Sequence, residues 1–184
     1  LDFLSGVHPA YKDELPTRSG KLNPKYEEKF RLITQPYLNT EYLGFLVDKE
    51  ITGSENPLLD PRIRKAINYG FDREKMMRFL RNNIGHPALS GFVPRGMPSY
   101  SPEAVPGYSY DPDRARELLS LAGYPGGEGL PPITLTTTSD YQDLCEYIQH
   151  ELYDIGIILD IEVNTGAAFR DRMANGKLEF FRGS

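Results

Sequence analysis

Residues 133–163 read ITLTTTSDYQDLCEYIQHELYDIGIILDIEV. The first six, Ile133 to Thr138, are short and rich in β-branched side chains, the composition of a strand. Ser139 or Asp140 can cap a following helix, a side-chain oxygen accepting one of the free first-turn N–H groups. Tyr141, Leu144, Ile148, Leu152 and Ile155 recur at helical spacing and make one apolar stripe. Gly156 ends that helix. Ile157, Leu159, Ile161 and Val163 then alternate with Ile158, Asp160, Glu162 and Asn164, the pattern of a half-buried strand. Strand, helix and strand joined by short links imply a parallel pair with a right-handed crossover. A short helix around Phe169 to Ala174 and a strand near Leu178 to Phe181 follow. The class is therefore α/β: a mixed sheet containing a parallel βαβ unit and flanked by helices.

Upstream, two phrases are built alike: LDPRIRKAINYGFDREKMM from Leu59 to Met77, and YDPDRARELLSLAGYP from Tyr110 to Pro125. Asp60 and Asp111 are N-cap residues, and Pro61 and Pro112 occupy the first helical position, where a missing N–H costs nothing. Ile63, Ala66 and Ile67 share one face of the first helix; Ala115, Leu118, Leu119 and Ala122 share one face of the second. Gly70 lies near the end of the first, and Asp72 caps another helix with Met76, Phe79 and Leu80 inward. Gly123 and Pro125 stop the Asp111 helix. Between these helices, residues 85–107 carry many Gly and Pro and read as a long irregular connection, of the kind that is often functional. Tyr37 to Val47 contains a strand, and Thr52 to Leu59 is turn-rich. Residues 1–36 are the least patterned: Leu1 to Gly6 is strand-like and lacks a signal-peptide core, and Pro16 to Tyr26 reads as loop.

The chain has 184 residues, enough for one domain or one large lobe of something bigger. A formal net charge of −5 with both signs interspersed argues against a general nucleic-acid binder, which would present a basic face. No apolar run approaches the ~18 residues needed to span a bilayer. Cys145 is the only cysteine, so no internal disulfide forms, and a lone thiol suits a reducing or an oxidising compartment equally.

Catalytic and metal chemistry find little support. His8, His86 and His150 are isolated, without metal-ligand spacing. There is no GxSxG, Walker A loop or GxGxxG. Cys145 sits beside the apolar stripe, the place of a buried structural thiol. Arg62, Arg64 and Arg73 read either as partners of Asp60, Asp72 and Glu74 or as forks for an anionic ligand group. The run Thr136, Thr137, Thr138 and Ser139 has a site-like position. Ligands of parallel sheets lie beyond the strands' carboxyl ends, and hydroxyls before a helix N-terminus suit a carboxylate or carbonyl oxygen, although strand propensity and a cap account for the same residues. These four, with Arg95 in the long irregular connection, are the candidate ligand-binding residues.

Four blocks together resemble the bacterial family 5 extracellular solute-binding proteins, the peptide, oligopeptide and nickel receptors of ABC importers. They are YLGFLVD (Tyr42 to Asp48); LDPRIRKAINYGFDREKM, similar to the family's D-x-R-V-R-x-A phrase but with Gly70 where Ala is usual; GHPALSGFVPRGMPSY followed by YDPDRARELLSLAGYP; and the strand–helix–strand quoted first. The match covers 37–184 well and 1–36 loosely. The resemblance implies that residues 1–184 form a single α/β lobe, one half of a type II periplasmic-binding-protein clamp, and that the chain is a piece of a two-lobed receptor. It also implies a non-catalytic role without a cofactor, a small peptide or similar solute as ligand, an ABC permease and the companion first lobe as partners, and no nucleic acid. The location it implies is the periplasm, or a lipoprotein anchor facing it. Receptors for nickel chelates or sugars, or the ligand-sensing lobe of a transcriptional regulator, are the alternatives.

Overall fold

The computed structural model describes residues 11, 13–34 and 37–184. Its centre is the parallel pair expected from the sequence. Strand β2 (Ile133–Thr138) runs beside β3 (Leu159–Asn164), in register from Ile133 opposite Leu159 to Thr138 opposite Asn164. Helix α5 (Gln142–Tyr153) makes the crossover between them. Helix α6 (Gly166–Ala174) then leads to β4 (Phe180–Gly183), which joins the other side of β2 with Phe181 opposite Thr136. Strand β1 (Tyr42–Phe45) pairs antiparallel with β4, so the sheet is mixed and ordered β1-β4-β2-β3.

The direction of crossing reverses after β3, so right-handed connections place α5 and α6 on opposite faces of the sheet. Side chains of β4 mark the two faces. Phe180 is fully buried in the core, whereas the ring of its neighbour Phe181 meets Phe169 of α6 edge-on at 6.1 Å. On the α5 face, Leu135, Cys145, Ile148, Leu152, Ile155, Ile157 and Leu159 join one apolar cluster. That cluster continues into α2 (Pro61–Tyr69) and α4 (Pro112–Leu121) through Ile63, Ala66, Ile67, Ala115, Leu118 and Leu119. Each buried aliphatic side chain there contributes roughly 1.5–3 kcal/mol relative to exposure.

The two Asp-Pro phrases form helices that pack against each other. Asp60 accepts from the Arg62 N–H and Asp111 from the Arg114 N–H, with proline next in each chain. The pair is stitched at both ends: Asp111 N donates to Tyr69 O at 2.9 Å, and Arg62 Nη1 donates to Leu121 O, a free carbonyl at the end of α4. Gly123 ends α4 at φ +97°.

Several expectations are corrected. Helix α3 (Arg73–Leu80) is capped by Asp72, but buries no residue: Met76 and Leu80 are half-buried and Phe79 is exposed. Its contacts with α5 include polar pairs, Lys75 with Glu151 and, just past its end, Arg81 with Asp143, and only Met76 of its expected inner face packs against the core, at the rim. Neither Ser139 nor Asp140 caps α5; a 3-10 turn, Ser139–Tyr141, intervenes, and Tyr141 precedes α5 without a side-chain cap. Tyr141 and Leu144 are only half-buried, and Cys145 is fully enclosed in their stead. Ala122 is half-buried, and Val163, near the carboxyl end of β3, is exposed. Helix α6 begins earlier than expected because Thr165 caps it through the Ala168 N–H. A short helix α1 (Lys49–Thr52), capped by Asp48, precedes the turn-rich stretch. The strand-like reading of Leu1 to Gly6 lies outside the described residues.

Candidate ligand-binding site

The carboxyl ends of the three parallel strands bring Thr138, Asn164 and Arg182 to one edge of the sheet, with the Ser139–Tyr141 turn beside them. The threonine run does not present itself uniformly. Thr136 is buried, and its Oγ1 donates to Glu162 Oε2 at 3.0 Å. Glu162 in turn accepts from Arg172 Nη1 at 2.5 Å, which holds its carboxyl below the usual range, and Arg172 also reaches Asn164 Oδ1 at 3.1 Å. Thr137 is fully buried on the opposite face, its hydroxyl engaged with Cys145. The hydroxyls of Thr136 and Thr137 are thus spent inside the protein. Thr138 is half-exposed and Ser139 exposed, and these two face outward at the strand end.

Arg95 is also exposed, but it turns onto its own segment. Its Nε donates to the Tyr100 hydroxyl at 3.3 Å, and its guanidinium lies 5.9 Å from that ring's centre. Ser90 shares the Tyr100 hydroxyl, and the two contacts together pull that phenol below its ordinary pKa. None of these bonds links Arg95 to Thr136–Ser139. Residues 85–107 form no helix or strand, as the glycines and prolines require, and are tied to the sheet elsewhere: Thr40 Oγ1 donates to Phe92 O at 2.8 Å, and the exposed Phe92 ring leans on Tyr42 at 5.2 Å.

The other candidate arginines have internal work. Arg62 pairs with Asp60 at 2.5 Å. Among the described residues Arg64 forms no ion pair with an aspartate; its Nη1 donates to the carbonyls of Leu58 and Leu59. Arg73 donates to the backbone and side chain of Asn68 and lies over the Phe71 ring at 4.1 Å, and burial lowers its pKa to about 10. The arginine at the site edge is one the sequence reading passed over. Arg182 follows Phe180 by two residues, so both point to the same face of β4. An arginine at an inward position of a strand was the available signal. Among the described residues, no three His, Cys, Asp or Glu side chains gather as a metal site.

The model for bacterial extracellular solute-binding proteins, family 5, matches residues 1–184. Heme-binding protein A of Haemophilus influenzae is 27% identical over 158 residues, covering 84% of this chain and 27% of that protein. The glutathione-binding protein GsiB of Salmonella choleraesuis is 29% identical over 130 residues, 71% of this chain and 24% of that protein. The chain thus spans about a quarter of the length of these relatives. Among solved structures, the periplasmic binding protein DppA of Helicobacter pylori, in complex with the peptide STSA, superposes with a TM-score of 0.65 at 27% identity, over 79% of this chain and 27% of that one. The mixed sheet with its parallel βαβ unit is one lobe of the type II periplasmic-binding-protein clamp.

Proposed function

The chain belongs to family 5 of the bacterial extracellular solute-binding proteins, and from that premise we propose that it is the ligand-capturing lobe of an ABC-importer receptor, a binder and not a catalyst. Small peptides are the solute class we favour, with support from two relatives: DppA is described with a bound peptide and GsiB as binding glutathione, itself a short peptide, while a third is described as binding heme. The observation that carries the reading is the carboxyl edge of the sheet, where Thr138 and Ser139 are exposed beside an uncapped helix start. Open-edged parallel sheets bind ligands at this end. Thr136 and Thr137 position that edge from within, whereas Arg95 stays engaged with Tyr100 on its own segment.

The companion lobe closes over the same edge, and an ABC permease receives the solute. The receptor works in the periplasm or tethered beside the membrane; among the described residues no helix is long and apolar enough to cross a bilayer. Calorimetry on the full-length protein against a peptide library tests the proposal. Micromolar binding of a peptide subset is expected, and silence across peptides, nickel complexes and sugars would overturn it.

A further inference from the structure

A row of aromatic rings crosses the sheet on the face that α6 covers. Tyr42 pairs with Gly183 and Gly44 with Phe181, so each ring lies across a glycine of the neighbouring strand. The fit is close: a Cβ at Gly44 would meet Phe181 Cζ at 2.6 Å, and one at Gly183 would meet Tyr42 Cζ at 2.6 Å. The two rings meet edge-on at 6.3 Å. Phe169 of α6 extends the row at one end, where it is buried, and Phe92 extends it at the other, 5.2 Å from Tyr42. Of the four rings only Phe92 is exposed, at 62%. Its loop is pinched at the base, where Gly107 N donates to Leu89 O at 3.1 Å and a side chain on Gly107 would collide with that carbonyl. Thr40 Oγ1 donates to Phe92 O at 2.8 Å, which fixes the residue beside β1.

Phe92 is not solitary: exposed Val93 follows it, and exposed Val105 lies against Gly91. Grouped apolar exposure marks a binding surface. Position says for what. Thr136 faces Phe181 across β2 and β4, so two residues further on Thr138 stands level with Gly183, and Tyr42 comes next in the same row. The Tyr42 ring takes the space that Gly183 leaves, which joins the rings to the Thr138–Ser139 surface. Two strand spacings, roughly 10 Å, separate Thr138 from Tyr42. We infer that Phe92 and Tyr42 form a subsite for an aromatic side chain of the solute, which stacks on the open face of Phe92 while the solute's backbone rests at Thr138 and Ser139. This deepens the solute-binding reading and rests on it. Edge-to-face or offset contact between rings adds to what burial alone supplies. Because its loop and its carbonyl are already tied, Phe92 loses little freedom when a solute docks. Arg95, three residues on, is engaged by Tyr100, so the surface beside the rings favours an uncharged side chain.

The test uses the full-length protein and the tightest-binding peptide of a library, resynthesised with phenylalanine or alanine at each position in turn, with affinities from calorimetry. At one position phenylalanine binds about ten- to a hundredfold more tightly than alanine, the range for burying one ring against another. F92A, at an exposed loop position that does not threaten folding, brings that ratio close to one. F92Y, which keeps the ring, keeps the ratio. A merely structural Phe92 would lower the affinity of both peptides together and leave their ratio intact. A ratio that survives F92A therefore overturns the inference and leaves Phe92 to the companion lobe. Equal binding of phenylalanine and alanine peptides at every position of the unaltered protein also removes the inference and leaves the peptide-receptor reading standing; binding of no peptide removes both.

Discussion

Cys145 reports how the interior treats a reactive group. It lies fully enclosed in the apolar face of α5, and burial pushes its thiol pKa up even though the Thr137 hydroxyl favours the thiolate. The thiolate is the reactive form, so this cysteine is inert while the lobe is folded. Alkylation in native buffer is expected to proceed only through opening, and to accelerate by orders of magnitude in denaturant; mass spectrometry of a timed iodoacetamide reaction measures both. Gly70 raises a packing question at the same scale. The related phrase usually has Ala there, and the backbone at φ −79° would accept one. The obstacle is space: an added Cβ would meet Leu152 Cδ2 at 2.5 Å and Ile155 Cδ1 at 2.6 Å. G70A is expected to destabilise by about 1–3 kcal/mol through overpacking. L152A alone costs about 2–5 kcal/mol by leaving a cavity. Because the new methyl enters that cavity, the double variant should cost less than the sum by more than about 0.5 kcal/mol, read from urea denaturation of all four proteins.

Helix starts dominate at the scale of elements. Asp60 caps α2 and pairs with Arg62, whose guanidinium holds the Asp60 carboxyl below its ordinary value of 3.8. A depressed folded-state pKa gives stability that is present above the unfolded value and lost as pH falls through the folded one. D60A should therefore cost about 1 kcal/mol at neutral pH, and the gap to the unaltered protein should close below about pH 4, as thermal unfolding across pH would record. The Asp-Pro starts were legible because cap, proline and apolar stripe all sit within one turn or two of sequence. The start of α5 was not. Thr138, Ser139 and Asp140 are all good caps by type, and a 3-10 turn used none of their side chains for α5. The inward face of α3 was legible only in part for a related reason: periodicity locates a stripe, but only the neighbours decide how far it is covered, so Met76 packs against the core while Phe79 stays exposed and polar side chains of α5 reach the helix. The candidate site was half legible. The strand end could be placed from the pattern around Thr138, whereas Arg182 depends on pairing between β4 and strands far away in sequence, which periodicity does not reveal.

For the whole molecule, the apolar cluster runs without interruption from α2 and α4 through α5 to β2, β3 and β4. One continuous core predicts that the 184-residue chain unfolds as a unit, with coincident fluorescence and circular-dichroism transitions. Binding should behave differently from folding. The proposed surface is a single open edge, and a solute resting there makes contacts on one side only. If the companion lobe supplies about half of the favourable free energy, a solute held at micromolar Kd by the full receptor, about −8 kcal/mol, keeps about −4 kcal/mol with this lobe alone, a millimolar Kd. The separate lobe is thus expected to fold cooperatively yet bind its best peptide about a thousandfold more weakly than the full-length protein. Chemical-shift titration of the lobe reads the weak Kd directly and maps where the solute sits. Shifts confined to Thr138, Ser139, Tyr42 and Phe92 are the expected outcome; micromolar affinity in the lobe alone would show that closure between two lobes is not what holds the solute.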